Sequence, residues 1–201
     1  MTVCERFITV GSYEIRLKSA NENSVKKIVL LHGMAFTADT WDELGTLDVL
    51  ESANFGVFAL DMPGFGKSTG RRLNRQMAAE VLKQILDILH IDKTVLVGPS
   101  MGGGIVLAFA VKYPEYINGL VLIAPAGLND AKILDNLEKL DMPALIFWGE
   151  RDRVFPLKTS NILIERLQKA KLVICPKARH PCYLDTPEIF HKQLIEFLDS
   201  L

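Results

Sequence analysis

Gly98-Pro99-Ser100-Met101-Gly102 lies between a short apolar stretch, Thr94-Val95-Leu96-Val97, and an apolar segment that begins near Met101. The stretch predicts a buried strand, and the segment after it predicts a helix. A serine on a sharp turn from strand to helix, called a nucleophile elbow, projects its hydroxyl above the sheet. The pattern Gly-x-Ser-x-Gly is short, so its meaning depends on the residues that follow it in the chain.

An acidic residue and a histidine follow this serine, each just after a predicted strand. Gly149-Glu150-Arg151-Asp152 ends the apolar stretch 144–148, and Arg179-His180-Pro181 comes after the stretch 171–174. Serine, then acid, then histidine is one of the three chain orders that Ser-His-Asp triads adopt. The sequence therefore predicts a serine hydrolase, with Ser100 as nucleophile, His180 as general base and Asp152 as the group that orients the imidazole.

The chain has four histidines, and the position of each favours a different role. His180 lies in a predicted loop and follows both the serine and the acid. His90 ends a predicted helix, where a cationic side chain complements the helix dipole. His191 lies inside the last predicted helix as a surface or packing residue, and His32 precedes the elbow and could orient the loop after its strand. His180 is therefore the predicted base.

Asp152 competes with three other carboxylates for the role of triad acid. Asp141 comes before the strand 144–148, at the opposite end of the sheet from the elbow. Glu150 lies closer to that strand and is expected to hydrogen-bond the loop. Asp185 lies just before Pro187 and predicts a cap for the final helix. Asp152 is therefore the predicted acid.

Two backbone amides are expected to form the oxyanion hole that such a serine requires. The Met101 amide directly follows the nucleophile. The second donor is expected from the loop His32-Gly33-Met34, through the Met34 amide. Pro99 has no N–H and is excluded.

Apolar side chains near these loops are candidates for a substrate pocket. Phe36, Phe65, Met101 and Phe155 either line such a pocket or belong to the core, and the sequence favours neither interpretation.

The rest of the chain alternates strands and helices. Two short β-rich segments at 6–10 and 13–17 flank Gly11-Ser12 and predict a hairpin. Further buried strands are predicted at 27–31, 56–60, 94–97, 119–123, 144–148 and 171–174, with helices at 40–53, 72–90, from about 101, and at 187–201. This pattern predicts an α/β fold with a mostly parallel sheet and helices on both faces. Between 123 and 144 there is room for a loop and one short helix at 130–140, which predicts an open site with a minimal lid or none.

The composition is that of one globular domain spanning residues 1–201. Its 49% hydrophobic and 23% charged residues are ordinary, and a net charge of −1 gives no electrostatic footprint for nucleic acid or membranes. Cys4, Cys175 and Cys182 are odd in number and lack metal-ligand spacing. The first residues lack the apolar stretch of a secretory signal, so we expect a cytoplasmic protein. No metal or nucleotide pattern is present, and we expect no cofactor.

Two local patterns favour structural over binding roles. Lys67, Arg71 and Arg72 form the one local basic cluster, which fits a solvated helix start better than an anion site. Asp61-Met62-Pro63-Gly64-Phe65-Gly66 lacks the Lys-Ser ending of a phosphate-binding loop and predicts a turn.

Taken together, these motifs resemble the α/β-hydrolase superfamily along the whole chain. Within it, two local sequences are similar to the small, lidless alpha/beta hydrolase domain-containing protein 14 family. They are Leu30-Leu31-His32-Gly33-Met34-Ala35-Phe36 and His180-Pro181-Cys182-Tyr183-Leu184-Asp185. The resemblance implies a triad at Ser100, Asp152 and His180 that acts on small acyl esters. It also implies acyl-lysine deacylation as an activity proposed in that family.

The expected function is that of a serine carboxylesterase that cleaves small acyl or aryl esters through an acyl-enzyme. A thioesterase or an amide or acyl-lysine deacylase would use the same triad. A non-catalytic binding protein could keep the fold as a scaffold. The expected partner is a small-molecule acyl ester, with no nucleic acid and no membrane, and the sequence does not predict an oligomeric state.

Overall fold

The computed structural model describes residues 3–201, and within them eight strands form one sheet. The strands are β1 (Cys4–Val10), β2 (Tyr13–Ala20), β3 (Lys27–Leu30), β4 (Gly56–Leu60), β5 (Thr94–Pro99), β6 (Ile117–Ile123), β7 (Ala144–Gly149) and β8 (Ala170–Cys175). Their order across the sheet is β1-β2-β4-β3-β5-β6-β7-β8. β1 and β2 run antiparallel to their neighbours, and the other six strands are parallel. The predicted mostly parallel sheet is confirmed.

The hairpin strands are longer than predicted. β2 continues to Ala20 because its second half pairs with β4, with Leu17 opposite Leu60 and Ala20 opposite Val57. β1 begins at Cys4, which faces Ser19 across the hairpin. The local pattern of the sequence predicts the hairpin turn, but the partner that extends β2 lies about forty residues further along the chain.

Helices cover both faces of the sheet. They are α1 (Asp39–Glu43), α2 (Thr46–Ser52), α3 (Arg75–Ile88), α4 (Met101–Lys112), α5 (Ala131–Leu134), α6 (Asn161–Arg166), α7 (Cys182–Asp185) and α8 (Pro187–Asp199). Consecutive strand residues serve opposite sides: in β3, Val29 packs with the core cluster under α3 and α4, while Ile28 and Leu30 pack with the cluster under α2 and α8. Among residues 3–201, no helix has the length and apolar character needed to cross a membrane.

Two predicted helices have different bounds in the structure. The single helix predicted at 40–53 is divided into α1 and α2 by Gly45, whose φ of +75° is a left-handed conformation that ends a helix. The helix predicted at 72–90 begins at Arg75 because the Asn74 side chain caps it, accepting a hydrogen bond from the Met77 amide at 2.9 Å. It ends at Ile88, and His90 has a positive φ beyond the helix.

The connection from β6 to β7 contains little regular structure. It contains α5 and one 3₁₀ turn at Leu137–Lys139, in place of the single short helix predicted at 130–140. This confirms the prediction that a large lid is lacking, since both elements together span seven residues.

A buried ion cluster fixes the loops after β3 and β4. Arg16, 1% exposed, lies 2.6 Å from Asp39 and 3.2 Å from Asp61, and it also contacts Glu5 at 2.6 Å. Asp61 is fully buried and accepts hydrogen bonds from the Ala38 amide at 2.7 Å and, through its other oxygen, from the guanidinium. The cluster therefore joins β2 to both loops that border the elbow.

Replacing Arg16 with methionine is expected to lower the free energy of unfolding at pH 7 by about 3–5 kcal/mol, because Asp61 would stay buried without a counter-charge. Arg16 also holds the pKa of Asp39 well below its usual range and lowers that of Glu5 to about 2. A carboxyl with a depressed folded pKa contributes stability that is lost as the pH falls below its unfolded value of about 4. The difference in unfolding free energy between variant and wild type should therefore be largest at pH 7 and should become smaller below about pH 4.

Urea unfolding at pH 7 and at pH 3.5 measures both the loss of unfolding free energy and its decrease at low pH. Arg6→Met is the matched control, because Arg6 pairs with Glu22 at the surface and both side chains are more than one-third exposed. Removing this surface pair should lower the free energy of unfolding by less than about 1 kcal/mol. If Arg16→Met and Arg6→Met lost equal amounts of unfolding free energy, this would contradict the role given to the buried cluster.

Candidate active site

Ser100 occupies a strained turn between β5 and α4. Its φ of +48° and ψ of −112° lie outside the regions that residues with a Cβ normally adopt. The turn is held by two hydrogen bonds, from the Ser100 amide to the Ile123 carbonyl at 2.9 Å and from the Ala126 amide to the Ser100 carbonyl at 2.8 Å. Backbone strain of this kind is found at functional sites, where the surrounding structure enforces it.

The glycines on either side of the serine are required by close backbone approach. A Cβ at Gly98 would lie 2.5 Å from the carbonyl carbon of Gly102, and a Cβ at Gly102 would lie 2.7 Å from the His32 carbonyl oxygen. Neither contact can be relieved by moving a side chain. The Gly-x-Ser-x-Gly pattern thus allows α4 to start directly beneath the loop that follows β3.

The structure brings His180 and Asp152 together. Asp152 Oδ2 lies 2.7 Å from His180 Nδ1, and the Asp152 carboxylate is fully buried. Its other oxygen, Oδ1, accepts hydrogen bonds from the amides of Val154 at 2.8 Å and Phe155 at 2.9 Å. Because an ionised carboxylate only accepts, Nδ1 carries the ring proton and Nε2 is left as the acceptor.

His180 Nε2 is shielded from solvent and has no hydrogen-bond partner within residues 3–201. Ser100 and His180 line the same cavity, which has a volume of about 510 Å³. The edge of the Phe155 ring packs against the imidazole with a centroid distance of 5.2 Å. The ring is therefore held on two sides, with its unprotonated nitrogen available to a group in the cavity.

Two of the other histidines, His32 and His191, have structural contacts. His32 Nε2 accepts from the Met62 amide at 3.1 Å, and its Nδ1 donates to the Gly33 carbonyl at 2.8 Å, so it orients the loop after β3 as expected. Burial lowers the pKa of His32 and favours this neutral form. His191 Nε2 lies 2.9 Å from the Thr46 hydroxyl, which joins α8 to α2.

The competing carboxylates also have other partners. Glu150 accepts from the Lys177 amide at 2.7 Å, as expected for a loop contact. The prediction that Asp185 caps the final helix is wrong: Thr186 occupies the cap position of α8 and makes no side-chain cap bond. Asp185 instead accepts from the Arg179 amide at 2.7 Å and pairs with its guanidinium, which anchors the segment before His180.

The two predicted oxyanion donors lie at the cavity. Met34 and Met101 are both lining residues. The Met101 amide is the first of α4 and has no carbonyl one turn earlier within the helix. Across the described part of the chain, the Met34 amide donates no hydrogen bond, while the neighbouring Phe36 amide closes the turn by donating to the Gly33 carbonyl at 3.1 Å.

The cavity wall contains the three predicted aromatic residues and several that the sequence analysis missed. Phe36, Phe65 and Phe155 all line it. The additional lining residues include Arg72, Leu73, Arg75, Ile105, Ala126, Val154, Pro181 and Tyr183. The prediction that Arg72 belongs to a helix start is wrong, because α3 begins three residues later. Arg72 is exposed, as predicted, and it also lines the cavity.

Tyr183 is an unusual member of this wall. Its side chain is 1% exposed and packs between Trp41 and Phe190, with centroid distances of 5.0 and 5.8 Å. Its hydroxyl has no hydrogen-bond partner within residues 3–201. Burial raises the pKa of Tyr183, so this hydroxyl remains a donor. No spacing rule in the sequence distinguishes it from a core tyrosine.

Comparisons with known proteins identify the fold family. A family model described as the alpha/beta hydrolase fold matches residues 26–139. ABHD14A of Danio rerio is 37% identical over 177 residues, which is 87% of this chain and 65% of that protein. ABHD14B of Homo sapiens, whose name proposes a protein-lysine deacylase, is 33% identical over 178 residues and 83% of its length is covered. The chain thus spans just under two thirds of the first relative and most of the second.

A solved structure extends the likeness to the whole fold. A protein from Thermoplasma acidophilum, described as a predicted CIB-like hydrolase, is 28% identical and superposes with a TM-score of 0.94 over all of both chains. The resemblance inferred from the sequence motifs is confirmed. This chain belongs to the α/β-hydrolase fold family and is close to its ABHD14 members.

Proposed function

We propose that this chain is a serine hydrolase that cleaves small acyl or aryl esters through an acyl-enzyme. One observation carries the proposal: His180 is held by a buried carboxylate at Nδ1, its Nε2 has no partner among residues 3–201, and it lines the same cavity as Ser100. A base with a fixed tautomer beside a strained serine is the arrangement that activates a hydroxyl.

In the first half-reaction, Ser100 Oγ attacks the ester carbonyl carbon while His180 Nε2 takes its proton. The carbonyl oxygen becomes an oxyanion, which the amides of Met34 and Met101 stabilise. His180 then protonates the leaving alcohol, and the acyl group stays on the serine. In the second half-reaction, His180 activates a water molecule, which releases the acid and restores the serine.

The form of the cavity supports small substrates. A volume of about 510 Å³ lies within the usual range of small-molecule sites. The short connection between β6 and β7 adds no lid that could enclose a long acyl chain. Met34 and Val154, 60% and 59% exposed, mark its open rim, where a bulky leaving group can extend into solvent.

Acyl-lysine deacylation is the second candidate, supported by the name of the ABHD14B relative. The same residues would act, with His180 protonating an amine in place of an alcohol. The exposed rim is compatible with a substrate attached to a protein. Esters remain the first candidate because their leaving group departs more readily from the same intermediate.

The proposal is tested with p-nitrophenyl esters from acetate to palmitate beside an acetyl-lysine peptide. We expect turnover of the esters that is highest for short acyl chains and falls as the chain exceeds the cavity. Cleavage of the peptide with no turnover of any ester would favour the deacylase. If neither is cleaved and a fluorophosphonate fails to label the folded protein, the hydrolase proposal is wrong.

A further inference from the structure

The charged side chains of the cavity wall are positive, and acidic and amide side chains are lacking among its described residues. The positively charged side chains are Arg72 and Arg75. A wall that offers donors and positive charge, and otherwise apolar surface, suits a ligand rich in acceptor oxygens.

Arg75 is already neutralised by the protein. Its guanidinium lies 3.1 Å from Asp130, and the side chain is 25% exposed. It also packs against the backbone at Gly127, where an added Cβ would lie 2.4 Å from the guanidinium carbon. Arg75 therefore has a structural role, which joins α3 to the loop before α5.

Arg72 has no such partner. Among residues 3–201 it forms no ion pair, and its guanidinium lies over the Phe65 ring at 4.5 Å from the centroid. Phe65 is itself buried and packs edge-on against His32 at 5.0 Å, so the ring is a fixed support. The Arg72 backbone is tightly packed on Gly64, where a Cβ would lie 2.5 Å from the Arg72 nitrogen.

The Arg72 guanidinium makes no hydrogen bond among residues 3–201, and the buried Phe65 ring supports it at 4.5 Å. Stacking on an aromatic ring leaves the in-plane N–H groups of an arginine available, and these match a carboxylate in a bidentate geometry. Building on the proposed function, we propose that Arg72 is a specificity-determining residue that selects esters carrying a second, ionised carboxylate. The carboxylate binds Arg72 while the ester carbonyl lies at Ser100.

The experiment compares two matched pairs of esters. Monoethyl glutarate and ethyl pentanoate differ in a carboxylate at the end of the acyl chain. The pair 3-(acetoxymethyl)benzoate and benzyl acetate differ in a carboxylate on the leaving group. Wild-type kcat/KM should favour the acidic member of at least one pair by about tenfold or more at low ionic strength. The pair that shows the preference identifies the side of the scissile bond on which the carboxylate lies.

Arg72→Met should reduce this ratio to about one, mainly through KM, because the lost contact is present in the ground state. Methionine keeps an apolar stem on Phe65 and removes the charge. Arg71→Met is the matched control, since Arg71 is exposed and does not line the cavity, and it should keep the wild-type ratio. Added salt should lower the wild-type ratio and leave that of Arg72→Met unchanged.

The outcomes separate the two proposals. Hydrolysis of acidic and neutral esters at equal kcat/KM overturns this inference and leaves the serine hydrolase in place. A preference that persists in Arg72→Met, or is lost equally in Arg71→Met, also overturns it. A folded protein that hydrolyses none of the four esters contradicts the proposed function and this inference with it.

Discussion

Ser100→Ala is expected to reduce kcat for the best ester substrate by about 10⁴ to 10⁶-fold, with KM little changed. The substitution removes the proposed attacking oxygen and leaves the cavity, the two proposed oxyanion donors and His180 in place. Residual turnover should come from positioning and electrostatics alone. Initial rates with p-nitrophenyl acetate measure the loss of activity. A fluorophosphonate should label the wild type and should not label the variant.

The backbone at Ser100 provides a control that separates chemistry from folding. Alanine keeps the Cβ and hence the strain at φ +48°, so Ser100→Ala should unfold at the wild-type temperature. Glycine adopts this conformation without strain, and Ser100→Gly should be as stable or up to about 2 kcal/mol more stable, and equally inactive. Esterase activity that survives in both variants would show that the reaction occurs elsewhere on the protein.

Much of the fold was predictable because its signals are local. Apolar stretches mark the parallel strands, and the elbow, Asp152 and His180 each follow one of them. Parallel strands bring their carboxyl ends to one edge of the sheet, so residues just after separate strands can meet there. This explains why Asp152 Oδ2 and His180 Nδ1 lie 2.7 Å apart, although the two residues are 28 positions apart in the chain.

The errors arise where a side-chain contact or a single backbone angle overrides the local pattern of the sequence. Asp185 precedes a helix like a capping residue, yet its partner is Arg179. Arg72 is exposed, as its basic cluster predicts, but it precedes α3 and lies over the buried ring of Phe65 at the cavity. Gly45 lies inside the single helix predicted at 40–53, although its left-handed backbone ends α1. In each case a tertiary contact or a single backbone angle decides, and periodicity contains no information about either.

Asp152→Asn is expected to lower kcat by about 10⁴-fold while leaving the fold intact. The reason lies in the bonds that Asp152 makes. The amides of Val154 and Phe155 both donate to Oδ1, so the oxygen of an introduced asparagine is retained on that side. Its amide group must then face His180 and donate to Nδ1. The ring proton moves to Nε2, and the nitrogen that should accept the Ser100 proton becomes a donor.

Glu150→Gln is the matched control, because Glu150 lies in the same turn and was the main competitor for the acid role. Its contact is with the Lys177 amide at 2.7 Å, which a glutamine oxygen can still accept, so kcat should stay within about threefold of wild type. Initial rates and thermal unfolding of both variants test the assignment. A large loss in Glu150→Gln with near-normal rates in Asp152→Asn would transfer the acid role to Glu150. A large loss in Asp152→Asn alone, without a change in unfolding temperature, means that the tautomer of His180 controls the reaction.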